Sequence, residues 1–132
     1  MGRMKSAWLF GLGVALSPIL SFAQGLHAVR AVPGLACMLL DNKSLEATQQ
    51  SALPPVFAEP SRGATRIGYP SSVVFVRWPL VEKNGFVAMV RLNGQPGWIA
   101  GDHLQPWHPM NGGNAKCTPS LMSNGRLGTS IR

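Results

Sequence analysis

The sequence has no run of like charge, no internal repeat, no low-complexity tract and no heptad pattern. These absences leave solenoid and coiled-coil architectures without support. There is also no apolar stretch of bilayer length: the run Ala7 to Leu16 covers about ten residues where a span needs roughly twenty, and Pro18 interrupts any longer helix. Acidic residues are few, five Asp and Glu against twelve Lys and Arg, and cysteines number only two. No glycine-rich phosphate loop occurs outside the leader. His103 and His108 stand five apart around Pro106, with no third ligand at a spacing that makes a zinc site. No cofactor and no metal is therefore expected.

What is present begins with a leader. Residues 1 to 23 run Met-Gly-Arg-Met-Lys, then an apolar segment, then Ser-Phe-Ala ending at Ala23. A basic n-region, an apolar h-region and a small-x-small site form the pattern of a secretory signal peptide. Cleavage is expected after Ala23, with Ala28 as a second choice; an uncleaved anchor is the other reading. No cysteine follows the cleavage site, so nothing suggests a lipoprotein. Without Arg3 and Lys5, ten basic and five acidic residues remain, a formal charge of +5. That charge is scattered, which reads as ordinary solvation; attraction to anionic polymers or membrane surfaces is the alternative. Export argues against a nucleic-acid partner. The expected location is periplasmic or secreted, with no stable membrane span after cleavage.

Cys37 and Cys117 lie near the two ends of the mature chain. In an oxidising compartment an even pair reads as a disulfide. The closed loop is long enough for a stabilisation on the order of 4 kcal/mol in the chain-entropy model. Two buried thiols or an intermolecular bond are the alternatives.

Along the mature chain, residues 24–36 read as a weakly ordered leader broken at Pro33-Gly34, and Met38 to Leu40 as a short apolar piece. Ser44 is a plausible N-cap for a short helix over Leu45 to Gln50, with Leu45, Gln49 and Ala52 on one face. Pro54-Pro55 ends it. Val56 to Pro60 reads as an edge-like strand, Thr65 to Pro70 as a second extended piece, and Val73 to Trp78 as the most β-prone run. Asn84-Gly85 and Asn93-Gly94 are hairpin signals eight to nine residues apart and indicate a β-meander. Between them Phe86, Ala88, Val90 and Leu92 fall on one face, and Val87, Met89 and Arg91 on the other. Gly101 to Leu104 reads as a short helical turn, Gln105 to Pro109 as loop, and the polar tail as loose beyond Arg126. Small helix content and four or five short strands punctuated by Pro and Gly suggest an all-β chain, a small, partly open barrel.

Residues 54–104 resemble the bacterial SH3-like (SH3b) family. The matching pieces are Pro55 to Ser61, Ala64 to Gly68, Val73 to Arg77, Asn84-Gly85-Phe86 leading to Val90-Arg91-Leu92, and Asn93 to Ile99 followed by Gly101 to Leu104. Two departures stand out: Phe86 where the family usually has Trp or a similar ring, and Pro79 with the insert Leu80 to Lys83. The resemblance implies a small SH3-like barrel of about five strands, used as a binding or targeting module and often attached to cell-wall enzymes. The expected organisation is a signal peptide over 1–23, an N-terminal arm with a short helix over 24–53, the barrel over 54–107 and a C-terminal arm over 108–132. The arms, irregular and clipped by Cys37 and Cys117, have no counterpart in the minimal domain.

A catalytic reading finds little among His27, His103, His108, Asp41, Asp102, Glu46, Glu59 and Glu82. Both thiols have an obvious disulfide partner, whereas a cysteine peptidase needs a free thiolate paired with His. The chain is therefore not expected to be an enzyme. Aromatic rings with a polar atom are better candidates for a binding surface. Trp98 follows a Gly within the barrel pattern and is expected in the core. Trp78 either packs inside or sits at the strand's end. Trp107, in a Pro-rich loop, either packs on the arms or is exposed. Tyr69, in Gly-Tyr-Pro, is expected to be exposed beside Arg66. The candidate binding residues are Tyr69, Arg66, Trp78 and Trp107. The expected function is a non-catalytic exported binding module of the bacterial envelope, with peptidoglycan or a peptide as ligand. A small envelope protein acting as subunit or inhibitor of one partner protein is the alternative.

Overall fold

Two glycine-bearing turns organise the middle of the chain. At Asn84-Gly85 both residues take positive φ, 54° and 79°. That is the type I′ geometry whose twist suits a two-residue hairpin. It joins β6 (Glu82–Lys83) to β7 (Phe86–Val90), with Lys83 opposite Phe86. The second turn differs. Only Gly94 has positive φ, 89°. The Arg91 N–H donates to the Gln95 carbonyl at 2.8 Å, and the Gly94 N–H donates to the Arg91 carbonyl at 2.8 Å. This longer loop leads from β7 into β8 (Pro96–Ala100). A computed structural model describes residues 25–132. The expected signal peptide and its cleavage after Ala23 lie outside the described residues.

The remaining strands are β1 (Ala28–Ala31), β2 (Leu35–Leu40), β3 (Val56–Phe57), β4 (Arg66–Gly68), β5 (Val73–Arg77), β9 (Leu104–Pro106), β10 (Cys117–Met122) and β11 (Leu127–Ile131). They form two antiparallel sheets. The larger runs β4-β3-β8-β7-β5-β2-β9, with β6 added beside β7; the smaller runs β1-β10-β11. Among the described residues the fold is all-β, with helix confined to short pieces.

Pairs across neighbouring strands share a face, which separates two buried surfaces of the larger sheet. On one, Leu40, Val56, Val74, Val76, Val87, Met89 and Ile99 form the main core. Leu40 on β2 and Val56 on β3 stand far apart in strand order, so the sheet curls around this cluster. On the other face Cys37, Phe75 and Val90 form one cross-strand row. Phe75 is only 2 % exposed, because the smaller sheet lies over this row and is tied to it by the disulfide. Phe57 and Phe86 meet edge-to-face, ring centroids 5.6 Å apart, in a second cluster with Ala100.

Several expectations need correction. Among the described residues eleven strands form, seven of them, β3 to β9, within residues 54–107, where about five were expected. The stretch expected as an irregular N-terminal arm supplies β1 and β2, and β2 lies inside the larger sheet between β5 and β9. An unbroken apolar run such as Leu35 to Leu40 lacks the alternation that marks a half-buried strand, yet suits one covered on both faces. The helix also shifts. It spans Asn42–Leu45 and is capped by Asp41, whose Oδ1 accepts the Ser44 N–H at 2.9 Å. Ser44 itself is buried in the first turn rather than acting as the cap. Gln50–Ala52 forms a separate 3₁₀ turn. Val56–Phe57 is not an edge strand but lies between β4 and β8.

At the C-terminal end the tail beyond Arg126 is not loose. Leu127–Ile131 pairs with β10 over five positions, and the Leu127 N–H donates to the Leu92 carbonyl at 2.9 Å. Gln105, expected in a loop, lies on β9 opposite Leu39. Pro119 sits in the middle strand of the smaller sheet and contributes only its carbonyl, which accepts the Val32 N–H at 2.9 Å. The residues of β7 are buried on both faces, and the main core takes Val87 and Met89 rather than Phe86 and Val90.

Candidate functional site

Gly68 ends β4 and turns the chain toward Tyr69. Its φ of 151° lies outside what side-chain-bearing residues readily adopt. The absence of a side chain also admits the Arg91 guanidinium: a β-carbon on residue 68 would stand 2.5 Å from Arg91 Nη2 and 3.3 Å from Cζ. Arg91 leaves the end of β7 half-buried, so its stem is packed while its head stays near water.

Beside it opens a cleft of about 120 Å³. Tyr69 and Arg91 line it together with Val74, Phe75, Val90 and Arg126. Arg126 belongs to the turn between β10 and β11; its N–H donates to Asn124 Oδ1 at 2.9 Å. The smaller sheet thus brings one cation to the rim of a cleft whose floor belongs to the larger sheet.

The four candidate residues do not form one patch. Tyr69 is exposed at this cleft. Arg66, three residues earlier on β4, lines a different hollow with Arg62, Phe57, Pro54, Pro55 and His103. Trp78 is 58 % exposed at the end of β5, where its N–H donates to the Gly34 carbonyl at 3.0 Å. Leu80 and Val81 continue that exposed apolar segment. Trp107 is half-buried just after β9. Trp98, expected in the core, is half-buried on the outer cluster with Phe57 and Phe86, while its neighbour Ile99 enters the main core. Arg91 and Arg126 were not recognisable as site residues, since each reads as dispersed charge. Only Gly-Tyr-Pro, with its glycine before an aromatic ring, marked the place.

A second cluster joins the helix to the 3₁₀ turn Gly101–His103. His103 Nδ1 lies 3.6 Å from Asp41 Oδ2, and its Nε2 lies 3.8 Å from Asp102 Oδ1. The Asp41 N–H donates to the His103 carbonyl at 2.8 Å. Hydrogen bonds from the Ser44 side chain hold the Asp41 carboxyl below its ordinary range, against the upward pull of partial burial; the Ser44 N–H and His103 add to the lowering. No hydroxyl or thiol is hydrogen-bonded to the His103 ring among the described residues. No group of three or more His, Cys, Asp or Glu is placed to hold a metal among the described residues.

Cys37 and Cys117 form the expected disulfide, with Cα atoms 6.1 Å apart. It joins β2 of one sheet to β10 of the other. Such a bond is typical of an oxidising compartment. No helix among the described residues is long and apolar enough to cross a membrane. Comparison of the chain with protein-family models, curated proteins and solved structures finds no match.

Proposed function

We propose that this chain is a non-catalytic binding module exported to the bacterial envelope, built on an SH3-like barrel, with peptidoglycan or a peptide as its ligand. The observation that carries this reading is Tyr69, an exposed ring at the mouth of a cleft flanked by Arg91 and Arg126. An amphipathic ring beside two cations offers an apolar face and polar anchoring together. The disulfide between the sheets supports export, and the SH3-like reading rests on the sequence pieces quoted over residues 54–104. Purified sacculi test the wall form. The disulfide-bonded protein should sediment with them at low and moderate salt, and Tyr69→Ala should release it. Protein left in the supernatant at both salt levels would exclude peptidoglycan as the ligand.

A second reading rests on a different surface. Trp78, Leu80 and Val81 are 58 %, 41 % and 46 % exposed on one short segment. Neighbouring exposed apolar side chains suit a protein partner, which favours a subunit or inhibitor acting through one envelope protein. A stoichiometric partner should then co-purify from the envelope fraction, and Leu80→Ser should abolish the association. Purification without any partner retires this reading.

A further inference from the structure

The cleft below Tyr69 is positively charged with no internal counter-charge. No Asp or Glu lines it. Among the described residues, the ion pairs within 4.0 Å all involve His103, so neither Arg91 nor Arg126 has a carboxylate partner at that distance. The two guanidiniums come from different sheets. Arg91 is seated over Gly68. The Arg126 backbone is placed by the bond from its main-chain N–H to Asn124 Oδ1 and by the bond from the Leu127 N–H to the Leu92 carbonyl on the cleft's own side, and its side chain is exposed. Two cations lining one small cleft repel each other, and an anion between them relieves that repulsion. Phe75 and Val90, which share one face of the larger sheet, give the floor its apolar part, and Ser71 and Asn93 line the cleft beside them. The ligand group must therefore combine one small anion with a short apolar neighbour.

We propose that this cleft binds the terminal carboxylate of a peptide. A carboxylate is planar and matches the guanidinium fork in a bidentate pair. The terminal residue's small side chain meets the apolar floor, and Tyr69 covers the peptide unit before it. A space of about 120 Å³ accommodates a chain end rather than a chain passing through. Peptide carboxylates of this kind come from two sources, the C-terminus of a protein and the stem peptide of the wall, which differ in the handedness of the last residue. The proposal deepens the binding-module reading and rests on the same cleft.

The test is an NMR titration of the nitrogen-labelled, disulfide-bonded protein. The probes are acetyl-L-Ala-L-Ala and acetyl-D-Ala-D-Ala as free acids, the C-terminal amides of both, and inorganic phosphate. A free acid should shift the amide signals of Tyr69, Leu92 and Leu127, and its amide should bind about tenfold more weakly or worse, as expected when a charge-assisted pair is lost. Arg126→Gln, at an exposed turn position, should weaken the acid by a similar factor and leave the rest of the spectrum unchanged. Arg91→Lys keeps the charge and should lose much of the affinity, because the fork is gone. Preference for the D-form points to the wall and preference for the L-form to a protein terminus; both support the proposal. Equal binding of acid and amide, phosphate binding as tightly as the acids, or no shift at millimolar acid would overturn it. Sacculi retained undiminished by Arg126→Gln, with no response to the acids, would remove the carboxylate site and leave the module reading standing. Acids bound but sacculi ignored would keep the carboxylate site and exclude only the wall as its source.

Discussion

The Arg91 guanidinium occupies the space above Gly68 that a side chain would need: a β-carbon there would stand 2.5 Å from Arg91 Nη2. Gly68→Ala therefore meets two obstacles, the displaced guanidinium and a φ of 151°. Arg91 is the end of a long side chain and can swing away, so the backbone strain dominates, at about 1–3 kcal/mol. Chemical denaturation should show that loss. Binding of the acyl-dipeptide acids should weaken as well, since Arg91 leaves its seat. A Gly68→Ala protein as stable as the parent, with undiminished binding, would show that this packing has no role.

Cys37 and Cys117 carry the second prediction. The native protein should contain no reactive thiol and should show two after unfolding in reductant, by thiol titration. The paired replacement of both cysteines by Ser should lower stability by about 2–5 kcal/mol, because the bond closes a long loop in the unfolded chain. The smaller sheet should be the region most affected, and hydrogen exchange should quicken first in β10 and β11. Two alkylatable thiols in the native protein would refute the bond.

Asp41 gives a pH-dependent prediction. Its carboxyl titrates below the ordinary value of 3.8 in the folded chain. A depressed folded value adds stability that is fully present above the unfolded value and is lost as the pH falls through the folded one. The side chain is about one-third exposed, so solvent screens the charge and the effect is modest. Asp41→Ala should cost about 1 kcal/mol at neutral pH through the lost N-cap. Asp41→Asn keeps the capping acceptor, so it should retain most of the stability at neutral pH while flattening the acid dependence. Equal losses in the two variants would show that charge rather than capping is responsible.

Gly97 makes the fourth case. A β-carbon on it would stand 2.6 Å from Val56 Cγ1, and Val56 is fully buried. Gly97→Ala should destabilise by about 1–3 kcal/mol through overpacking. Combining it with Val56→Ala should recover part of the loss, a favourable coupling readable in a double-mutant cycle. Strict additivity would mean the two sites do not touch.

Legibility in the sequence followed the range of the interaction. The run Val73 to Trp78, a strand as far as Arg77, and the turn at Asn84-Gly85 are short-range features, and both were legible. The helix was misplaced because Asp41 and Ser44 are both good caps; Asp41 wins by accepting the Ser44 N–H, while Ser44 is buried in the turn. β10 and β11 escaped because Cys117 to Met122 contains a proline and Leu127 to Ile131 is short and partly polar. Their strand character comes from pairing with each other and with β1. In the candidate site only Tyr69 was legible. Arg91 and Arg126 are 35 positions apart, and nothing local to either one signals the other.

The sequence by itself determined the all-β class, the hairpin turns and the pairing of its only two cysteines, because propensity, turn chemistry and counting are local or exhaustive. Tertiary structure alone decided that β2 is an inner strand, that the tail forms a second sheet, and that two distant arginines share a cleft with Tyr69. Those outcomes depend on which faces must be covered and on what lies opposite them, and burial of that kind is settled only when the whole chain packs.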